Sequence, residues 1–319
     1  MELSARWPVQ RLCGAMSVNR SGFYKWKRRL DCPCGRTKKR MEDIAAFERY
    51  HEMYPSHGYR WLNAKIKLDT GEVMSDQYAH RCCKWAGIRS ESKHSAYRKP
   101  GEKGKVYPNM VMASIKDDGP LQVVVSDMTA FWAKRTYWEL TLYMDLWDLE
   151  IVGYGLSSRR GDPGGYYAGL EMVAERKAEG MEGLKTVLHT DQGSVYASKS
   201  FNDLLPQYGM VHSMSRAGTP TDNGAMEAIN GWVKEEMFAD FRIGECEDVP
   251  EFVNKYVRFF NEERPSYALG YLTPKAFKEL YSKDPSKAPK KPSKVAYEKK
   301  QAKIEESKAK KGKDVSTKR

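Results

Sequence analysis

The stretch from Val187 to Lys234 constrains this chain more than any other: it reads VLHTDQGSVY, then a helical segment, then SMSRAGTPTDNGAMEAINGWVKEE. Val187 and Leu188 are a short apolar run ending at Asp191, and Gly193 follows where a strand must turn. The carboxylate of Asp191 is therefore expected at the carboxyl end of a buried strand. Downstream, Thr221, Asp222 and Asn223 are helix-capping types placed before a helical pattern in which Met226, Ile229, Val233 and Met237 recur on one face. Glu227 lies beside that apolar stripe, and Lys234, nearly two turns later, projects on the same side.

A third acid stands upstream, where LQVVVSDMT predicts a strand from Leu121 to Val125 that ends at Asp127. Carboxylates at two strand ends and one helix edge suit a pair of hard divalent cations, because magnesium prefers oxygen ligands and leaves coordination positions for phosphate. With these words in place, VSDMT, HTDQGSVY, MSRAGTPTDNGAMEAINGWVKEE and FFNEERPSYALGYLTP, the chain from about Val9 to Leu280 resembles the DDE recombinases of the retroviral-integrase superfamily. More narrowly it resembles the second-frame (OrfB-type) transposases of bacterial insertion sequences of the IS-three family. The resemblance implies an α/β fold, an RNase H-like mixed five-stranded sheet with flanking helices, preceded by an α-helical helix-turn-helix-like domain. It also implies a triad of Asp127, Asp191 and Glu227, serving as catalytic residues and as ligands for two Mg2+ or Mn2+ ions per active site.

Charge divides the chain. Residues 1–105 hold 23 Lys and Arg against 11 Asp and Glu, residues 106–282 hold 17 against 26, and residues 283–319 hold 14 against 5. Basic flanks suit a phosphate backbone, and an acidic centre repels one unless cations sit in it. No apolar run approaches the roughly 20 residues of a membrane span, and no signal-peptide core opens the chain, so a soluble protein of the cytoplasm, acting at the nucleoid, is expected. Six cysteines follow no disulfide or zinc spacing.

In chain order, residues 1–40 read as a basic helical segment followed by a polar linker at 31–40. Phe23, Tyr24 and Trp26 among lysines and arginines fit either a DNA contact or a helical pair packed on the next domain. Residues 41–98 read as three helices, the third from Ser75 to Ala86, and resemble the family's helix-turn-helix domain. In that reading Arg81 and Lys84 meet phosphates; the other reading is a small bundle that braces the core. Residues 99–110 form a linker. The core, 111–282, is expected to run three strands, helix, strand, helix, strand, helix; the RNase H-like fold that the resemblance implies makes the first and fourth strands adjacent, so that Asp127 and Asp191 meet. Residues 283–319 read as a disordered basic tail that turns helical around Ala302–Ala309.

Other polar residues carry secondary expectations. Asn223 caps the Glu227 helix, orients its carboxylate or touches the terminal nucleotide as a DNA-binding residue. Lys234, by its position in the family, contacts the element end, and Ser215 and Arg216 are phosphate contacts. His189 is a packing residue, Asp145 a structural carboxylate, and Ser266 replaces the histidine that the family usually has after Arg-Pro. The implied reaction is metal-dependent 3′-end nicking of the element and transfer of its 3′-hydroxyl to a DNA phosphate. Its partners are double-stranded DNA (terminal inverted repeats and target), further copies in a synaptic complex, and a first-frame (OrfA-type) partner or fusion. No membrane is involved. The rival readings are a DNA-binding regulator or domesticated protein that keeps the fold without strand transfer, and a metal nuclease acting on RNA in hybrids.

Overall fold

The computed structural model describes residues 7–31, 34–91, 119–181, 183–215 and 224–289, and at 29, 31 and 224–228 the backbone alone. The expectations for 99–110 and for Ala302–Ala309 lie outside them. The chain divides into two compact units, one of residues 1–53 and 58–90, the other of 54–57 and 91–319.

The first unit contains α1 (Val9–Ala15), α2 (Arg20–Asp31), α3 (Gly35–Met53), α4 (Tyr59–Thr70) and α5 (Asp76–Ala86). Phe47, Leu62, Ile66, Ala79, Cys82 and Cys83 are buried in it. The Ser75 hydroxyl caps α5 by accepting the Tyr78 amide, and Gly87, at φ 74°, closes it in the left-handed conformation that glycine adopts without penalty. The linker expected at 31–40 is corrected: α3 starts at Gly35. Cys34 accepts the Thr37 and Lys38 amides, and Lys39 pairs with Asp43 one turn on and with Glu72. A run of cations read as a linker is thus the start of a helix, in which Lys39 is paired and Arg40 lies over the Trp85 ring.

The second unit is built on a five-stranded sheet in the order β3-β2-β1-β4-β5. The strands are β1 (Val123–Ala133), β2 (Thr136–Asp145), β3 (Ile151–Ser157), β4 (Thr186–Thr190) and β5 (Met210–Met214), with α6 (Gly164–Ala178) and α7 (Lys199–Leu204) between β3 and β5. After β5 come α8 (Gly224–Ala239), α9 (Val249–Glu262) and α10 (Pro274–Lys283). β1 and β2 are antiparallel, as are β2 and β3, whereas β1–β4 and β4–β5 are parallel. This is the mixed order expected, with the first and fourth strands neighbours.

Alternation sends Val124, Tyr143 and Leu188 to one face, into a core with Tyr166, Leu170 and Val173 of α6 and Phe201 of α7. The contact between β3 and α6 depends on missing side chains. A Cβ on Gly155 would lie 1.8 Å from the Gly165 carbonyl oxygen, and one on Gly153 2.3 Å from that of Gly169. Helix α6 therefore rests directly on the strand backbone. On β3, the Asn261 side chain of α9 accepts the Ile151 amide at 2.9 Å and donates to its carbonyl at 3.0 Å, completing the ladder where β2–β3 register shifts.

Two strand boundaries differ from expectation. Leu121 is not in β1; it is left-handed at φ 54°, with its amide held by Asp145. At the other end, β1 does not stop at Asp127 but runs on to Ala133, because Asp127 through Ala133 pair with Leu142 through Thr136 of β2.

Candidate active site

Although β1 continues, its partner on the other side does not. The parallel pairing of β1 with β4 ends at Ser126–Thr190, so the next residues in register, Asp127 and Asp191, flank the point where the two strands part. A parallel pair keeps its side-chain faces in step, so this register brings both aspartates to the same end of the sheet. Asp127 Oδ1 accepts the Met128 amide at 2.8 Å, and its Oδ2 accepts Asn230 Nδ2 at 2.8 Å. Asp191 closes a tight turn, its Oδ1 accepting the Gly193 amide at 2.9 Å. A Cβ on Gly193 would lie 3.0 Å from that oxygen, so the glycine lets the turn close. Burial pushes the Asp191 carboxyl above its ordinary range, partly offset by the Gly193 amide. Beyond the strands, Ser215 donates its amide to the Thr190 carbonyl and accepts Gln192 Nε2, which extends the β4–β5 ladder beneath this turn.

Helix α8 crosses β1 with Val233 and Met237 buried. Glu227 lies in its first turn; its side chain falls outside the described residues, as do all of Arg216, Thr221, Asp222 and Asn223. Three residues after Glu227, Asn230 reaches Asp127, and four further on Lys234 Nζ donates to the Ala130 carbonyl at 2.8 Å. Lys234 is solvent-exposed, yet its ammonium is seated on the edge that β1 leaves open past Asp127. Asn230 was not singled out from sequence. The available signal was its spacing, just under one turn from Glu227 on the same helix. It is buried, and its Oδ1 has no hydrogen-bond partner among the described residues.

The opposite face of α8 is fixed by charge. Glu236 is fully buried and takes Arg264 Nε at 2.7 and 2.9 Å, Arg264 Nη2 at 2.6 Å and the Tyr256 hydroxyl at 2.8 Å. His57 Nε2 stands 3.3 Å from Glu236 and 3.2 Å from Asp240, and Ser56 donates its amide and hydroxyl to Asp240 at 2.9 and 2.8 Å. Burial alone pushes Glu236 upward, but Arg264 and His57 outweigh it and bring it to about 2. The Arg-Pro word of FFNEERPSYALGYLTP thus serves α8, while Ser266 forms an isolated bridge with Leu272.

The remaining expected residues separate into three groups. Arg81 and Lys84 are exposed on α5 of the first unit, Arg81 with its guanidinium 5.8 Å from the Tyr78 ring centre. Ser215 is buried within the β4–β5 ladder described above. His189 and Asp145 are internal: His189 Nδ1 meets Ser213 Oγ at 2.9 Å, and Asp145 accepts the Leu121 and Trp147 amides. His212 bridges Thr190 and Asn202, and burial lowers it to about 4, so it is neutral. Among the described residues no three His, Cys, Asp or Glu side chains converge as a metal site. Asp127 and Asp191 contribute two carboxylates, oxygen donors of the hardness a divalent alkaline-earth cation takes.

Two integrase core domain models match the chain, at residues 117–220 and 208–274. The InsK protein of insertion sequence element IS150 from Escherichia coli K12 is 28% identical over 280 residues, covering 86% of this chain and 94% of that one. A transposase for insertion sequence element IS904 of Lactococcus lactis is 27% identical over 252 residues, 77% of this chain and 98% of that one. Among solved structures, the HTLV-2 integrase catalytic core domain in complex with magnesium matches 50% of this chain and 98% of that chain, at 16% identity and a TM-score of 0.37. Adjoining integrase-core matches run across the sheet and its helices, and the relatives aligned along nearly their whole length are insertion-sequence proteins, so this chain is similar to insertion-sequence transposases over an integrase core.

Proposed function

We propose that this protein carries out DNA transposition through Asp127, Asp191 and Glu227, with two divalent metal ions, magnesium or manganese, as cofactor. The observation that supports this most directly is the β1–β4 register, which brings Asp127 and Asp191 together while α8, the helix containing Glu227, is hydrogen-bonded to Asp127 through Asn230. The donor set fits such ions, because all three side chains offer carboxylate oxygen and none offers sulfur or imidazole. The chemistry that two bound ions supply is activation of the attacking water or 3′-hydroxyl and stabilisation of the leaving 3′-oxygen.

The chain's own groups do the rest. Asp127 is held by the Asn230 side-chain amide at one oxygen and by the Met128 backbone amide at the other. Lys234, exposed at the rim and seven residues beyond Glu227, meets a phosphate of the element end; Asn223 and Arg216 do so from the segment before α8. Arg81 and Lys84 meet DNA phosphates from α5. In the first reaction water attacks the phosphorus at the element end, the bond from that phosphorus to the element's terminal O3′ breaks, and the element keeps a free 3′-hydroxyl while the flanking strand keeps a 5′-phosphate. In the second that hydroxyl attacks another phosphorus, one phosphodiester replacing another, so no ATP or covalent enzyme intermediate is required. The paired DNA ends call for more than one copy of the chain, and a first-frame partner supplies recognition of the terminal repeats.

The test is strand transfer with a labelled duplex carrying the native element end, in Mg2+ or Mn2+, comparing wild type with Glu227→Gln at equal DNA occupancy. Joined product from wild type and none from the variant is expected. If the two behave alike, or wild type binds DNA but neither cuts nor joins it with the first-frame partner added, a DNA-binding regulator replaces the transposase.

A further inference from the structure

We infer that the tip of the β1–β2 hairpin is a second nucleic-acid contact on the integrase-core unit, a stacking site for an unpaired DNA base built from Trp132, Tyr137 and the guanidinium groups of Arg135, Arg159 and Arg160. The inference rests on the DNA-transposition reading only for where such a strand comes from; the site itself stands on its own geometry. Trp132 is 58% exposed, a large apolar ring offered to solvent from the last paired residues of β1, one pair before the turn. It is opposite Tyr137 in the antiparallel register, and the two rings meet edge to face with centroids 5.6 Å apart. Arg160 lies over the Tyr137 ring, its guanidinium carbon 4.9 Å from the ring centre. Arg135 at the hairpin turn and Arg159 beside Arg160 are both exposed.

The charge here runs against its surroundings. Residues 106–282 hold 17 Lys and Arg against 26 Asp and Glu, yet the hairpin tip and the loop after β3 carry three arginines, one of them over the Tyr137 ring. The neighbouring carboxylates are engaged: Glu139 is buried and accepts the Tyr137 hydroxyl at 2.8 Å and the Gly161 amide at 2.9 and 3.0 Å, Asp162 accepts the Ser157 hydroxyl and the Gly164 amide, and Glu247 pairs with Lys134. Glu139 also props the loop that carries Arg159 and Arg160. An exposed indole flanked by guanidinium groups is the combination that binds single strands: every base has a face to stack, and the arginines take the phosphates. Bases inside a duplex are stacked on one another and cannot cover Trp132, so the occupant is an unpaired nucleotide.

The site is separate from the acidic one. Trp132 is five residues beyond Asp127 along β1, roughly 17 Å at the rise of an extended strand. Alternation also puts it on the opposite face, the one where Met128 packs into the core. A strand held there leaves the carboxylates clear.

The experiment uses the full chain without divalent metal and an oligothymidylate carrying 5-iododeoxyuridine, with crosslinks mapped by mass spectrometry and affinity read by fluorescence anisotropy. Crosslinks within residues 131–137 are expected, together with a loss of affinity of about five- to 100-fold in Trp132→Ala, the range for removing one stacking aromatic. Trp132→Phe should retain most of the affinity, and Arg160→Gln should weaken it. Because Trp132 is exposed, the fold should survive, which circular dichroism checks. Crosslinks that map only elsewhere, or an unchanged affinity in Trp132→Ala, overturn the assignment. A Trp132→Ala variant that loses self-association while keeping its affinity for the oligonucleotide gives the patch to a protein partner instead. The assay reads binding without chemistry, so failure of the strand-transfer test leaves it intact, and its own failure leaves strand transfer untouched.

Discussion

Asn230 shows how much a single side chain can contribute without belonging to the acidic triad. Its Nδ2 holds Asp127 Oδ2 at 2.8 Å, and its buried Oδ1 has no partner among the described residues. Removing the side chain therefore deletes one useful bond together with one unsatisfied acceptor, and the two effects on stability partly cancel. Orientation of the carboxylate has no such compensation. Asn230→Ala is expected to slow strand transfer by about 10- to 100-fold, the usual loss when an outer partner of a metal-binding side chain is removed, with little change in melting temperature. The slowed reaction should be accompanied by a higher divalent-metal requirement, read by titrating Mg2+ in the joining assay. Wild-type joining at limiting Mg2+ would sink the orienting role. At this scale sequence is informative where local grammar operates: the strand-end position of Asp191 follows from the turn at Gly193. It is silent on Asn230, since a polar residue on an amphipathic helix looks solvent-facing until its strand is known.

Among the elements, α8 is held from both sides, by β1 through Asn230 and Lys234 and by the buried set of His57, Glu236, Asp240, Tyr256 and Arg264. The signs of the titrations define a stability window. Glu236 sits at about 2 when folded, against an ordinary value of 4.5, so its contribution is present above pH 4.5 and is lost as pH falls toward 2. His212, lowered to about 4, opposes folding in the same direction as pH drops below 6.5. For His57 burial disfavours the charge, but Asp240 and Glu236 outweigh it and raise its value, so its contribution is complete below pH 6.5 and fades as pH climbs through the raised value. Thermal unfolding should therefore show a maximum near pH 6–7, and His57→Gln should flatten the alkaline limb while lowering the maximum. An unaltered alkaline limb in that variant would show that His57 is not charged in the folded state. The β3–α6 contact gives a second expectation. Gly155→Ala places a methyl 1.8 Å from a backbone oxygen, so it should cost about 3 kcal/mol or more in urea unfolding, and a loss below 1 kcal/mol would mean the helix can lift away cheaply. The strands themselves were readable as apolar runs. The extension of β1 past Asp127 was not, because its alternating MTAFWA segment takes its identity from β2, and the His57–Glu236 pairing joins residues too far apart in sequence for any spacing rule to reach.

Across the whole molecule, the charge pattern is legible directly from composition, and it makes a claim about DNA that no single site makes. The middle of the chain, 106–282, is acidic, so most long-range backbone attraction comes from the flanks, where residues 1–105 hold 23 Lys and Arg against 11 Asp and Glu. The segment 291–319 adds 11 Lys and Arg against 4 Asp and Glu. Ala288, packed against the Trp147, Leu269 and Phe277 cluster, lies just before it, so truncation after Lys290 leaves that cluster complete. Each phosphate neutralised releases counterions and adds about 0.9 to the slope of log K against log salt on duplex DNA. Removing 291–319 should therefore make that slope shallower by at least about 2, measured by anisotropy on a duplex between 50 and 300 mM salt, and weaken binding most at low salt. The joining rate at saturating DNA should stay within about twofold, because nothing in the acidic site is removed. An unchanged slope would mean that the amino-terminal unit provides the phosphate contacts alone, and that the tail's charge is merely solvated.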